Sequence, residues 1–270
     1  MTFVRILSVF LSFGIWGCLS VPPSSDAGGG RVVTVASDAT FAPFHYIDSD
    51  GTVTGFDIEL ARQIGERLEM RVEVEVVLYD RLFSDLLAGR YQVVAATTGI
   101  TAEREKRYLF SEPYFLTCQT ALVRAGADET GSLMELAGRN VGAAGAGTSV
   151  EALSLLPESV PILLSEREAT EVSILDDGRV PALENREIDA LIVDEFDAVL
   201  AARRSGGHLR VLRDPVALER YGFVFAPTDG DLKQQFDAAL ETMRRDGSLL
   251  ALERAFGLDR GPDWPVRLPR

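Results

Sequence analysis

The side chains that most often carry out chemistry in proteins are scarce in this chain of 270 residues. Its two cysteines exclude a disulfide scaffold, and its two histidines leave too few ligands for a histidine-rich metal site. The sequence contains no Ser-His-Asp, metal-binding or phosphate-loop pattern. We therefore expect no metal, no cofactor and no catalytic residue.

Composition and charge narrow the class of protein further. Asp and Glu number 41 against 27 Lys and Arg, which gives a net charge of −14. Nucleic-acid binding needs basic patches that replace counterions, so this acidic balance argues against it. Apolar residues make up 46% and charged residues 25%, as in an ordinary globular chain and unlike a disordered one. The length fits one large domain or two of ordinary size.

The N-terminus predicts export and a lipid anchor. Arg5 precedes an apolar run over residues 6–16. This run is shorter than the roughly 20 residues that a bilayer span needs, and it fits a secretory signal over residues 1–17. It ends in Gly17-Cys18, which resembles a bacterial lipobox, whose cysteine is acylated and becomes the first residue. We expect lipidation of Cys18, a flexible Pro/Ser/Gly tether to residue 30 and an extracytoplasmic location. The alternatives are an ordinary signal peptide cut nearby and an uncleaved anchor.

Strands alternate with helices along the rest of the chain. Apolar runs predict strands at 31–36, 71–77, 91–96, 141–144, 188–193 and 221–226. Amphipathic spacing and stop signals predict helices at 57–68, 82–87, from near 148, 231–244 and 248–256. This alternation indicates α/β layers with parallel sheets. Cys118 lies in an apolar stretch, and we expect it to be a buried, inert thiol.

Ten short segments share one order and spacing that resembles a known family. They are 37–44 (SDATFAPF), 51–61 (GTVTGFDIELA), 79–82 (YDRL), 89–93 (GRYQV), 98–104 (TGITAER), 110–115 (FSEPYF), 136–142 (LAGRNVG), 147–149 (GTS), 188–194 (IDALIVD) and 245–248 (RDGS). From about residue 31 to 258 the chain resembles extracellular solute-binding proteins of the polar amino-acid ABC importer type, the family 3 periplasmic binding proteins.

The resemblance implies an α/β, two-lobed periplasmic-binding-protein fold (a Venus flytrap). Lobe 1 would comprise residues 31–122 and 222–258, and lobe 2 residues 123–221, with residues 259–270 as a C-terminal tail. Two hinge strands, near residues 120–124 and 220–225, would join the lobes. Closure of such lobes around a ligand is a known hinge motion.

The resemblance also implies which two residues hold the charges of the ligand. Arg104 matches the arginine that grips the α-carboxylate, and a planar guanidinium can donate two parallel hydrogen bonds to such a group. Asp194 matches the acid that receives the α-ammonium from the other lobe, at a strand end where ligands of open α/β sheets usually bind. The alternative for either residue is a structural surface ion pair.

Further positions follow from the same resemblance. Phe41 and Tyr79 match two aromatic residues that sandwich the ligand, with core packing as the alternative. Asp38 matches a position that often meets the ligand side chain, with a turn-forming aspartate as the alternative. Thr148 and Ser149 match a helix start whose free N–H groups attract an anion, or which is a plain cap.

Departures from the family pattern, among them a Gly145-Ala-Gly147 loop that looks one residue longer than usual, leave the ligand's identity open. Thr97 and Gly99 match the strand end that flanks the carboxylate and ammonium. Gly99 stands where the family usually offers Ser or Thr, so one hydroxyl donor to the carboxylate is missing. Residues 165–179 look like an acidic insertion in lobe 2, either a rim or contact element or a solvated excursion.

The implied function is that of a monomeric binding protein, not an enzyme. It would capture a small zwitterionic solute, a polar amino acid, and deliver it to an ABC permease. One alternative is an enzyme on the same fold, such as a cyclohexadienyl dehydratase, for which Glu195 is a candidate acid. Another is a ligand-sensing domain for a separate signalling partner.

Overall fold

The computed structural model of the chain describes residues 31–126, 133–143, 148–155, 162–164, 179–260 and 264–266. The predicted signal peptide, the lipidation site Cys18, the tether and nearly all of the 165–179 insertion lie outside the described residues. Within the described ranges, no helix combines the length and the apolar character that a bilayer span requires.

Strands and helices follow one another along the described chain. The strands are β1 (Arg31–Ser37), β2 (Thr40–Phe41), β3 (His45–Ile47), β4 (Val53–Thr54), β5 (Met70–Val76), β6 (Val93–Val94), β7 (Leu109–Phe110), β8 (Phe115–Arg124), β9 (Val141–Ala143), β10 (Ile162–Leu164), β11 (Ala190–Asp194), β12 (Leu209–Val211), β13 (Ala217–Tyr221) and β14 (Val224–Phe225). The helices are α1 (Phe56–Arg67), α2 (Tyr79–Leu87), α3 (Ala102–Glu105), α4 (Thr148–Leu153), α5 (Arg179–Glu184), α6 (Glu195–Arg204), α7 (Gly230–Asp246) and α8 (Ser248–Ala255), with a 3₁₀ turn at Leu133–Leu136.

The first lobe is built on a five-stranded sheet in the order β5-β1-β6-β14-β7. β1 pairs in parallel with β5 and β6, whereas β14 runs antiparallel to β6 and β7. Helices α1, α7 and α8 pack together and bury one apolar face each against the core of this lobe. Strands β2, β3 and β4 form a separate three-stranded sheet, and they lie between β1 and α1 in the sequence.

The second lobe is built on a six-stranded sheet in the order β10-β9-β11-β8-β12, and β13 pairs with β8. β9 is parallel to β10 and β11, whereas β8 is antiparallel to β11, β12 and β13. Helices α4, α5 and α6 cover this sheet. The α/β prediction is therefore confirmed, with antiparallel strands added to the parallel ones that the alternation predicts. Cys118 lies in this core, fully buried, and burial raises the pKa of its thiol well above the usual value.

The chain passes between the lobes at residues 111–114 and 222–223. β8 already belongs to the second sheet at Phe115, so the predicted lobe boundary after residue 122 falls inside this strand. Four aromatic rings pack across the junction. Phe44 of the first lobe lies 5.2 Å from Phe196, 5.3 Å from Phe115 and 5.8 Å from Tyr221 between ring centroids. The lobes thus share one aromatic cluster beside the two crossings.

The C-terminal segment makes a third connection, from α8 in the first lobe to the second lobe. Arg260 pairs with the carboxylate of Glu195, which is fully buried at the start of α6. Thr117 Oγ1 and Trp264 Nε1 also donate to this carboxylate, at 3.1 and 3.0 Å. Trp264 packs on Phe196 with 5.1 Å between ring centroids. The part of the predicted tail that the structure describes is therefore docked on the second lobe.

Removing the Glu195 carboxylate should destabilise the protein, because it leaves the Arg260 guanidinium partly buried without its counter-charge. We expect Glu195→Ala to lower the free energy of unfolding by roughly 3–5 kcal/mol, as for other broken buried ion pairs. Urea denaturation measures this change. Glu241→Ala, which removes an exposed partner of Arg244 and Arg245, should cost less than about 1 kcal/mol. Equal losses in the two variants would contradict the structural role of Glu195.

Candidate functional site

The pairing of β8 with β13 brings a set of polar side chains to one face between the lobes. Thr117 lies opposite Glu219 and Gln119 lies opposite Ala217 in this antiparallel register. Asp194 of β11 lies opposite Gln119 on the other side of β8. Since directly opposite residues in antiparallel strands point to the same face, these side chains are neighbours. All four of the polar ones are buried, so the sheet presents a polar floor.

Arg104 faces this floor from the first lobe. Thr101 Oγ1 caps α3 by accepting from the Arg104 backbone N–H at 3.3 Å, which fixes where the side chain starts. Arg104 Nη1 donates to the Gly99 carbonyl oxygen at 2.9 Å. Burial raises the pKa of the Tyr79 hydroxyl, and the neighbouring Arg104 guanidinium partly opposes that rise. The guanidinium is therefore positioned beside an aromatic side chain, with donors left for a ligand.

Residues of the second lobe close around Gly99. An ideal Cβ on Gly99 would lie 3.1 Å from Thr148 Cγ2 and 3.5 Å from both Arg104 Nη1 and Glu219 Oε1. Ser149 Oγ donates to Gln119 Oε1 at 2.7 Å, and Gln119 Nε2 donates to Glu219 Oε2 at 2.9 Å. We call Gly99, Arg104, Gln119, Thr148 and Glu219 together the interlobe site. It joins a cation from one lobe to an anion from the other.

A second polar group surrounds Asp38. His45 is buried, with Nδ1 3.2 Å from Asp38 Oδ1 and Nε2 3.3 Å from Thr97 Oγ1. Burial alone would raise the pKa of Asp38, but His45 and the Thr40 hydroxyl, which donates at 2.7 Å, lower it overall. Burial lowers the pKa of His45, but the hydrogen bond and the negative charge of Asp38 raise it by more. The pKa of His45 is therefore raised overall. Asp38 is thus held as an anion by a buried partner.

Thr97 has a backbone conformation that an L-residue rarely adopts, with φ of +40°. The buried carboxylate of Asp57 holds it, because Oδ2 accepts from the Thr97 N–H at 2.8 Å. Burial raises the pKa of Asp57 to about 6, against a smaller lowering by His45 and the Thr97 N–H. Such strain concentrates at functional positions, where the surrounding structure must enforce it.

Asp194 is bonded to three groups of the protein. Its Oδ1 accepts from the Phe196 N–H at 2.9 Å and caps α6. Its Oδ2 accepts from the Tyr221 hydroxyl and lies 3.3 Å from Thr117 Oγ1, whose single hydrogen is shared with Glu195. The hydrogen bond from Tyr221 lowers the pKa of Asp194, but burial raises it by more. The pKa of Asp194 therefore lies well above its usual value. The residue lies at the strand end that the sequence indicates, and its role toward an ammonium stays a prediction.

The predicted site residues fall into three linked groups. The interlobe site contains Gly99, Arg104 and Thr148, and Tyr79 and Ser149 adjoin it. Asp38 and Thr97 share His45, on whose ring Phe41 packs edge-on at 6.0 Å between centroids. Asp194 is connected to Gly99 through Tyr221, which forms a β-bridge with that glycine.

The sequence-based prediction omits several buried polar residues of these groups, among them His45, Gln119, Glu219 and Tyr221. Glu219 and Tyr221 stand two positions apart with Leu218 and Arg220 exposed between and beside them. Period-two spacing of this kind indicates a strand with one buried face. This spacing predicts that the two side chains lie on the same face of a strand. It does not predict which charged groups of other strands they contact. Only the fold supplies those partners.

A guanidinium and buried carboxylates from two α/β lobes form an arrangement for holding a small charged solute at their junction. This arrangement defines a two-lobed solute-binding protein. The family model for bacterial extracellular solute-binding proteins, family 3, matches residues 33–259. The chain belongs to this family, whose members are solute-binding proteins that act outside the cytoplasm.

Individual relatives agree with this assignment. The L-cystine-binding protein TcyJ of Escherichia coli (strain K12) is 30% identical over 228 residues, which cover 83% of this chain and 82% of TcyJ. An ancestral arginine-binding protein, solved bound to glutamine, superposes with a TM-score of 0.69 at 27% identity, covering 84% of this chain and 98% of that one. The ancestral amino acid-binding protein AncCDT-1, a precursor of cyclohexadienyl dehydratase, gives a TM-score of 0.69 at 26% identity, with 83% and 95% covered.

The raised pKa of Asp57 predicts how stability depends on pH. The folded protein holds a proton on Asp57 up to about pH 6, whereas the unfolded chain releases it near 3.8. The wild-type free energy of unfolding therefore falls as pH rises through this window. Asp57→Asn removes that term, so its stability relative to wild type should rise by up to about 3 kcal/mol between about pH 4 and pH 7.

Urea denaturation at a series of pH values measures the difference between the two curves. Asp50→Asn, in an exposed turn, provides the control and should give a curve parallel to wild type. Parallel curves for Asp57→Asn and wild type would show that Asp57 does not titrate in this way.

Proposed function

We propose that this protein captures a small zwitterionic solute, a polar amino acid, and delivers it to an ABC importer. The observation that carries this proposal is the Arg104 guanidinium at the junction of two lobes, facing buried carboxylates. The relatives support the solute class, since TcyJ is an L-cystine-binding protein and the ancestral arginine-binding protein is bound to glutamine. Delivery to an importer rests on the type of transporter system that the sequence resembles.

In the proposed complex, Arg104 donates two parallel hydrogen bonds to the ligand carboxylate. The Gly99 carbonyl holds Nη1 in place, so the guanidinium loses little side-chain entropy when the ligand arrives. A buried carboxylate on the polar floor receives the ligand ammonium. Tyr79 and Phe41 supply apolar faces for the ligand stem, and Asp38, kept charged by His45, meets a polar or cationic side chain.

We propose that the protein is a binding protein rather than an enzyme. Glu195, the candidate acid for a dehydratase, is fully buried, and Arg260, Thr117 and Trp264 all bond to its carboxylate. A general acid must reach the substrate within hydrogen-bond distance, or through one water. Through these contacts the Glu195 carboxylate connects the C-terminal segment to α6, so its oxygens are already bonded within the protein. We therefore propose solute capture as the function, with the protein acting as a monomer.

A thermal-shift screen of the purified protein against the standard amino acids and L-cystine tests this function. A ligand that binds only the folded state raises its stability by RT ln(1 + [L]/Kd), about 2.7 kcal/mol at a hundredfold excess over Kd. We expect at least one amino acid to raise Tm in a concentration-dependent manner. The absence of a shift with every one of them would refute amino-acid capture.

Loss of the Arg104 guanidinium should weaken binding of the amino acid found in that screen. Charge-assisted hydrogen bonds contribute about 1.5–3 kcal/mol, so Arg104→Ala should raise Kd by roughly tenfold or more. Isothermal titration calorimetry measures this ratio. Arg107→Ala is the matched control, because Arg107 is exposed and stacks on Tyr108. Similar affinity in the two variants would show that Arg104 does not hold the carboxylate.

We also propose that the protein is anchored to the membrane through a lipid on Cys18. Cys18→Ala should release the protein from the membrane fraction or leave its precursor uncleaved. Cell fractionation and mass spectrometry of the mature N-terminus measure both outcomes. Cys118→Ala, which removes the buried thiol, should stay membrane-bound. Wild-type protein that is already soluble and carries no lipid would disprove the anchor.

A further inference from the structure

His45 is a buried histidine beside the candidate site, and the sequence-based prediction assigns it no role. It lies in β3 with 2% of its surface exposed. Its Nδ1 lies 3.2 Å from Asp38 Oδ1, and its Nε2 lies 3.3 Å from Thr97 Oγ1. Both ring nitrogens therefore face oxygen atoms. This arrangement suits a doubly protonated ring, in which each nitrogen is a donor.

Two carboxylates favour a positive charge on this ring. Asp38 contacts the ring directly, and Asp57, at the start of α1, also acts on it electrostatically. Burial alone would lower the pKa of His45, but these carboxylates raise it above the ordinary value. The same contact lowers the pKa of Asp38. His45 and Asp38 therefore form an ion pair whose two charges offset each other.

Asp38 lies on the more accessible side of this ion pair. Its side chain is 11% exposed, against 3% for the side chain of His45. The charges of Arg104 and Asp38 both act on the Tyr79 hydroxyl, so Asp38 borders the same region as the Arg104 guanidinium. A ligand whose carboxylate binds Arg104 would extend its side chain toward Asp38. The His45 ring would then lie behind the Asp38 carboxylate.

A carboxylate that is backed by a cation recognises ligands differently from a lone carboxylate. A lone buried carboxylate favours a cationic partner, because nothing else compensates its charge. In an ion pair, the imidazolium already compensates that charge and repels a second cation brought to the same carboxylate. An amide or ureido N–H still donates to the carboxylate and adds no charge. The pairing of His45 with Asp38 therefore favours an uncharged donor.

We propose that His45 determines which ligand side chains this protein accepts, because it offsets the charge of Asp38 and so favours an uncharged polar side chain over a cationic one. This inference rests on the proposed function, since it concerns the side chain of the same amino-acid ligand. His45 is buried and acts on the ligand through Asp38, so it is a positioning residue. The ligand class narrows to amino acids whose side chains end in an uncharged N–H donor, such as an amide or a ureido group.

The test compares amino acids whose side chains have nearly the same shape and differ in charge. The pairs are L-arginine with L-citrulline and L-ornithine with L-glutamine, and the first member of each pair is cationic. Calorimetry at about pH 6.5, the ordinary pKa of histidine, gives the Kd of each member. Wild type should bind the uncharged member of at least one pair, and at least as tightly as the cationic member. His45→Asn should shift the ratio of affinities toward the cation by roughly tenfold.

His208→Asn is the matched control. It makes the same substitution at the only other histidine of the chain, which is exposed, and should leave the ratio unchanged. Adding Asp38→Asn to His45→Asn should cancel the shift, because the effect acts through the Asp38 carboxylate. The ratio of two affinities in one variant does not depend on how much of that variant is folded, so a loss of stability does not mimic the result.

Nitrogen NMR of wild-type protein with isotopically labelled histidine reads the charge of the ring without a ligand. The His45 ring should be doubly protonated at about pH 6.5, and the spectrum of His45→Asn assigns its signals. A neutral ring, a wild-type preference for the cation, or a ratio that His45→Asn leaves unchanged or shifts away from the cation would overturn the inference. Wild-type protein that binds another amino acid but no member of either pair overturns this inference alone, whereas protein that binds no amino acid overturns the proposed function as well.

Discussion

The second lobe buries three carboxylates on the side where it meets the first lobe, and each of them needs compensating partners. A carboxylate taken out of water is costly unless hydrogen bonds or an opposite charge replace its hydration. Glu195, Asp194 and Glu219 all lie in this buried region, and each draws partners from separate parts of the chain. Glu195 binds the C-terminal segment, and Asp194 binds β13. Of these contacts, the pairing of Glu195 with Arg260 connects the two lobes, and it stabilises their junction together with the aromatic cluster around Phe44.

The elements that the sequence predicts are those whose faces differ in polarity. Helices α1 and α7 follow the predicted spans within two residues, because their apolar residues recur at helical spacing and face the core. The hinge strands expected from the family resemblance overlap β8 and β13 only at residues 120–124 and 220–221, and no local apolar pattern predicts the rest of either strand. Their function depends on a register between residues about a hundred positions apart, and local patterns carry no information on it. Burial of Glu219 follows from that register, so it could not be predicted from its own neighbours.

In the candidate site, too, the sequence predicts some residues by their type and order, whereas the contacts of others form only in the folded chain. The segment resemblance predicts Arg104, Thr148 and Gly99, and the fold brings these three together. A lone histidine such as His45 gives no periodic signal, and its contact with Asp38 forms only when β2 and β3 pair. Backbone strain at Thr97 is likewise invisible in the sequence, since it requires the Asp57 carboxylate forty positions away.

The docked C-terminal segment has a mechanical consequence for the hinge. If the two crossings were the only connections, the lobes could rotate relative to each other about the line that joins the crossings. The Arg260 guanidinium, 5.2 Å above the Phe115 ring and 5.4 Å from that of Phe196, lies on the second lobe while its chain belongs to the first. Rotation must slide this cation across the rings or pull it from Glu195. The Arg260–Glu195 pair therefore adds resistance to rotation about the two crossings, and a ligand that reoriented the lobes would have to offset the free energy of breaking it.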